Sequence, residues 1–212
     1  MSPIRPLARV GLALLAALSL SACITVFPKT KDAQLYRFDG TSAIEPISEA
    51  PAVRVGVMRV RGAFSAAAAT DRIMTVSGSQ VSYIAHSRWS EPAVSMFDEA
   101  VVRAFAKANG PVRLAVRGEP GRAPYSMRLD VERFEAVYDH GGKAAPDVRV
   151  ELHLTVVRAA DRVVVKDLPI EANARASENR VGAIVQAFDA ATAQALKQVV
   201  AATAEAATPA AA

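Results

Sequence analysis

The side chains in this 212-residue chain that could do chemistry are few and scattered. Its only cysteine, Cys23, offers one nucleophilic thiol. The three histidines, His86, His140 and His153, lie far apart, and no His/Cys/Asp spacing matches a metal site. His153 falls on the polar parity of a strand pattern beside Glu151 and Thr155, which reads as an exposed strand residue. Asp130 and Glu132 share one strand face, where a carboxylate pair for proton transfer is conceivable; a solvated face is the expected reading. No Gly-x-Ser-x-Gly elbow and no phosphate-cradling glycine loop precedes a helix. No catalytic set, cofactor site or metal site is therefore expected. Two further features are open at this level. Arg59 and Arg61 prolong the apolar strand face of Val53, Val55 and Val57, either as a strand end leaving its sheet or as a basic rim for a partner protein or lipid headgroups. Trp89, the only tryptophan, is either a packing anchor or a contact residue.

Cys23 gains meaning from what precedes it. Arg5 and Arg9 make a basic start, Val10 to Leu20 an apolar core, and Leu20-Ser21-Ala22 ends in small residues before the thiol. The pattern resembles a bacterial lipoprotein signal. Val10 to Ala22 is 13 residues, short of the ~20 that a spanning helix needs. Cleavage near Ser19 and Ser21 by an ordinary signal peptidase is the rival reading. A lone thiol argues against it, since exported chains pair their cysteines or avoid them. Residues 1–22 are thus expected to be a removed signal, and Cys23 to carry acyl chains that tether the protein to a membrane. Ile24 follows the cysteine. In the lipoprotein sorting rule Asp at that place retains a protein in the inner membrane, so the inner leaflet of the outer membrane, facing the periplasm, is expected. Ile24 to Lys31 reads as a short tether, within an expected 23–32 anchor segment that reaches at most ~27 Å over those eight residues.

The remaining residues suffice for one domain, expected over 33–204. The leader holds two of the 25 basic residues and none of the 21 acidic ones, which leaves +2 on the rest. No Lys/Arg cluster interleaves with aromatics, so a nucleic-acid partner is not expected.

The periodicities then place the elements. Strands are expected around Leu35 to Phe38 and Val53 to Val60, and at Ile73 to Val76 and Val81 to Ala85 about the hairpin Ser77-Gly78-Ser79-Gln80. Ser90-Glu91-Pro92 predicts a helix start with Ser90 as its cap, and Asn109-Gly110-Pro111 its stop. A strand at Val112 to Val116 and three long strands follow, with a bulge near Arg133 where the alternation through Met127, Leu129 and Val131 slips. Ser177 is expected to cap a final helix with the stripe Val181, Ile184, Val185, Phe188, Leu196 and Val199. The Ala/Thr/Pro-rich end from Ala201 is expected to fray, with 205–212 a disordered tail. This order predicts an α+β sandwich, a largely antiparallel or mixed sheet with two amphipathic helices packed on one face.

Several segments resemble the ABC-type transport auxiliary lipoprotein family: the run through Cys23, Tyr36-Arg37-Phe38, Val53 to Val60 with Asp71-Arg72, Arg88-Trp89-Ser90-Glu91-Pro92, Val131 to Glu135, and Ala187-Phe188-Asp189. Ala93 stands where the family usually has Leu, and Ala69-Thr70 where Tyr-Leu is common. The resemblance implies an α/β sandwich and a non-enzymatic accessory role. It implies MCE-domain proteins and ABC transporter subunits as partners, phospholipid or a related lipid as cargo, and Cys23 as the functional position. A structural or assembly lipoprotein of another envelope complex is the alternative, and homo-oligomerisation stays open.

Overall fold

A computed structural model describes residues 32–47, 51–116, 118–119 and 122–207. Cys23, the tether up to residue 31 and the tail from residue 208 lie outside the described residues. The strands are β1 (Gln34–Tyr36), β2 (Val55–Phe64), β3 (Arg72–Ser77), β4 (Gln80–Trp89), β5 (Val112–Leu114), β6 (Tyr125–Val137), β7 (Asp147–Arg158) and β8 (Val164–Arg175); the helices are α1 (Ala93–Ala108) and α2 (Val181–Ala207). They form one mixed sheet with both helices on one face, as the periodicities predict.

Strand β6 organises the sheet. One edge pairs antiparallel with β7, and β7 with β8. The other edge serves two strands in turn: β2 runs parallel to its first half, from Val57 opposite Tyr125, and β3 runs parallel to its end, with Thr75 opposite Ala136. The sheet forks where β2 gives way to β3. One wing adds β5 beside β2; the other adds β4 beside β3 and β1 beside β4.

Chemistry at the fork explains the residues found there. A Cβ on Gly62 would lie 2.1 Å from the Leu129 carbonyl oxygen, so only glycine lets β2 approach this closely. Beyond it the ladder breaks. The Ala63 N–H donates to Asp130 Oδ1 at 2.6 Å and the Ser65 N–H to the Val131 carbonyl at 2.9 Å. Burial acts to raise the Asp130 pKa, but the Ala63 N–H, the Arg128 guanidinium and His153 outweigh it and hold the carboxyl below its ordinary value. The predicted bulge is also present, since the β6–β7 register shifts between Val131 and Arg133. It turns Phe134 and Ala136 into the same buried layer as Met127 and Leu129.

Three expectations need correction. Helix α1 starts at Ala93, and its first turn has no side-chain cap. The Ala93 and Val94 N–H groups donate instead to the Thr70 and Ala69 carbonyls, at 2.9 and 3.5 Å. Helix α2 starts at Val181, too far along the chain for Ser177 to cap it. It also runs on to Ala207 instead of fraying from Ala201. Ala202, Thr203 and Ala207 are buried, and Thr203 Oγ1 donates to the Val199 carbonyl at 2.7 Å. Small side chains bring this last part of the helix close to the sheet, so packing replaces the bulk that the sequence lacks there.

Candidate functional site

Four of the family-like segments, Tyr36 to Phe38, Arg88 to Pro92, Val131 to Glu135 and Ala187 to Asp189, though far apart in sequence, meet at the N-terminal end of α1. Phe134 of β6 lies at the middle of an aromatic cluster with ring centroids 5.4 Å from Phe38, 5.9 Å from Phe64, 6.2 Å from Trp89, 6.3 Å from Phe97 and 4.8 Å from Phe188. Trp89 also meets Phe38 and Phe188 edge to face at 5.4 and 5.3 Å. Such pairs add about 0.5–1.5 kcal/mol each beyond the area they bury.

Backbone and charge lock the same place. The Trp89 N–H donates to the Asp71 carbonyl and the Ser90 N–H to the Tyr36 carbonyl, both at 2.7 Å. Arg88 pairs with the Asp71 carboxylate at 2.7 Å, and the Arg72 guanidinium lies 3.8 Å above the Tyr83 ring. Asp189, about two turns into α2 and half-buried, accepts the N–H groups of Asp39 and Gly40 at 2.6 and 2.8 Å. Gly40 has φ +70, and a Cβ there would come 2.9 Å from Thr192 and 3.1 Å from Ala100. It is the point where the chain passes between the two helices.

Above this junction opens a polar cleft of about 290 Å³ whose charged lining includes Arg37, Asp39, Glu91, Glu99 and Arg103, with Phe38 and Met96. Arg103 already binds Asp39 at 3.1 Å and Glu99 at 3.2 Å. The cleft holds no histidine, thiol or lysine beside these carboxylates. It offers hydrogen bonding and charge to a polar partner.

The sequence-predicted residues are placed differently from one another. Arg59 and Arg61 lie on the helix-facing side of β2 and converge on Asp98 of α1. Arg59 forms an ion pair with that carboxylate and donates to the Asp98 carbonyl at 3.0 Å; Arg61 pairs at 2.9 Å. The apolar face therefore ends in a strand-to-helix clamp, of which only Arg61 is largely exposed. Trp89 is 2% exposed, so it is a core ring and has no surface to offer a partner. Asp130 is spent on Ala63 and Arg128 and forms no pair with Glu132.

His153 Nε2 lies 2.6 Å from Asp167 across β7 and β8, a pairing that the polar parity alone did not disclose. His140 sits with Asp139 and Asp147 in a group whose ligand atoms lie within 4.8 Å of one another. The β6–β7 pairing creates this group, which sequence spacing could not reveal. Arg149 and Arg175 already neutralise its two carboxylates at 3.0 and 3.1 Å, so it lacks the free negative charge that a hard cation needs. Elsewhere, the guanidinium of Arg113 holds Glu119 down to about 2.

With this geometry in place, the comparisons identify the chain. The family model described as ABC-type transport auxiliary lipoprotein component matches residues 36–200, and the chain belongs to that family. No curated protein matches it. Among solved structures, a protein from Xanthomonas campestris described as DUF330 family is similar at 23% identity and TM-score 0.71, covering 82% of this chain and 96% of that one. An uncharacterised protein is similar at 13% identity and TM-score 0.57, covering 82% and 98%. These likenesses are of fold. No helix among the described residues is long and apolar enough to cross a membrane.

Proposed function

We propose that this chain is a non-enzymatic accessory lipoprotein of an MCE-associated ABC lipid transport system, anchored through Cys23 to the inner leaflet of the outer membrane. The observation that carries the reading is the family match, which runs through the folded unit from residue 36 to residue 200. The junction supports it: a polar cleft opens beside the packed aromatic cluster, a form suited to docking. The lipoprotein pattern through Cys23 adds the anchor, and Ile24 the destination. Partners would be an MCE-domain protein and transporter subunits.

In-cell crosslinking of the full chain tests the reading. Recovery of an MCE-domain protein or of the permease and ATPase is expected. Recovery only of components of another envelope assembly would refute it. Cys23→Ser is expected to release the protein from the membrane fraction with its fold intact, and retention at high salt would remove the anchor from the proposal.

A further inference from the structure

The opposite end of α1 carries a cavity of a different kind. It measures about 230 Å³ and lies between the loop through Ile44 and Ile47, the α1 terminus at Ala108 to Val112, and the α2 face of Val200, Ala201 and Ala204. Its walls are fixed. The Ile47 N–H donates to the Ala108 carbonyl at 3.0 Å, Arg54 to the Gly110 carbonyl at 2.8 Å and the Val55 N–H to the Pro111 carbonyl at 2.8 Å. These bonds occupy the last carbonyl of the helix and two of the carbonyls that follow it. Ile47, which lines the groove, is 47% exposed.

We infer that this groove binds a single alkyl chain whose carboxylate or phosphate stays outside, against Lys197. Size and charge argue for this occupant. An apolar cavity of ~150 Å³ already holds benzene, whereas pockets that enclose a whole drug-sized ligand run from ~300 Å³ upward. The groove thus fits one chain segment and leaves the head in water. Lys197 of α2 lines the groove, is exposed, and has no ion-pair partner among the described residues. Glu45 lines the loop wall, so a zwitterionic head would meet charge on both walls. The inference stands on the groove alone and holds whether or not the transport reading does.

The test uses the full chain in phosphatidylcholine nanodiscs with palmitate that carries a mid-chain diazirine. After illumination, label is expected on peptides containing residues 44–47 and 197–204. Ala201→Trp, on an exposed helix position, should fill the mouth and abolish that label while leaving the melting curve unchanged. Lys197→Glu should weaken it roughly two- to fivefold, the scale of an exposed charge pair. Competition by unlabelled palmitate alone would assign a free fatty acid; competition by lysophosphatidylethanolamine would assign a lysophospholipid. Label spread over other exposed apolar residues such as Val81 and Val164, or label indifferent to Ala201→Trp, would overturn the inference.

Discussion

The two ends of α1 solve opposite problems. At its N-terminal end five aromatic rings meet around Phe134, and the helix's first N–H groups are taken up by the Ala69 and Thr70 carbonyls. At its C-terminal end the lining, apart from Glu45 and Lys197, is Ala, Gly, Pro and aliphatic residues, and a groove remains. Large planar side chains fill space and fix orientation; small ones bring backbones together and leave gaps between them. The first end stores the stability of the domain, and the second leaves room for a guest.

Substitutions can break or sharpen that contrast. Phe134→Ala should cost about 3–5 kcal/mol in denaturant unfolding, because it removes the ring that five others touch. A smaller loss would mean that the cluster collapses into the hole and is less rigid than its geometry implies. Asp189→Ala should cost about 1.5–3 kcal/mol by leaving the Asp39 and Gly40 N–H groups without their charged acceptor. Asp130 tests the fork, away from both ends. Its pKa is depressed in the folded state, so its contribution is present above its ordinary value of about 3.9 and is lost as pH falls through the lower folded value. Asp130→Asn keeps an oxygen for the Ala63 N–H and removes the charge. The variant should be less stable at neutral pH and show a flatter acid limb than wild type. Thr192→Val should be neutral or stabilising by up to about 1 kcal/mol, since the buried Thr192 hydroxyl has no hydrogen-bond partner among the described residues. Ser90→Ala should change stability by less than about 0.5 kcal/mol, well below the ~1 kcal/mol typical of a lost N-cap.

Much of this was legible from alternation and punctuation. The hairpin at Ser77 and Gln80 and the bulge before Phe134 both follow from short-range pattern. Tyr36 to Phe38, Arg88 to Pro92, Val131 to Glu135 and Ala187 to Asp189 were legible one by one, but not their meeting, in a cluster of rings from β2, β4, β6, α1, α2 and the stretch after β1. The Ser90 cap failed because carbonyls from a distant loop reached the helix first; the departures at Ala69 and Thr70 are harmless there, since the contact is made by backbone. Arg59 and Arg61 could not be read because their counterion is on another element. The groove had no signal at all: it is made of residues that look unremarkable one by one.

The forked strand has a further consequence, for the order of assembly. Position 57 lies against position 125, and position 75 against position 136. Before β6 has been synthesised, β2 has only the three-residue β5 to lean on and β3 only its hairpin mate. Contacts so distant along the chain slow the search for the native state. The N-terminal half therefore lacks its main partner strand until the chain has been made past its midpoint, and a chain delayed in this way stays threadable for that long.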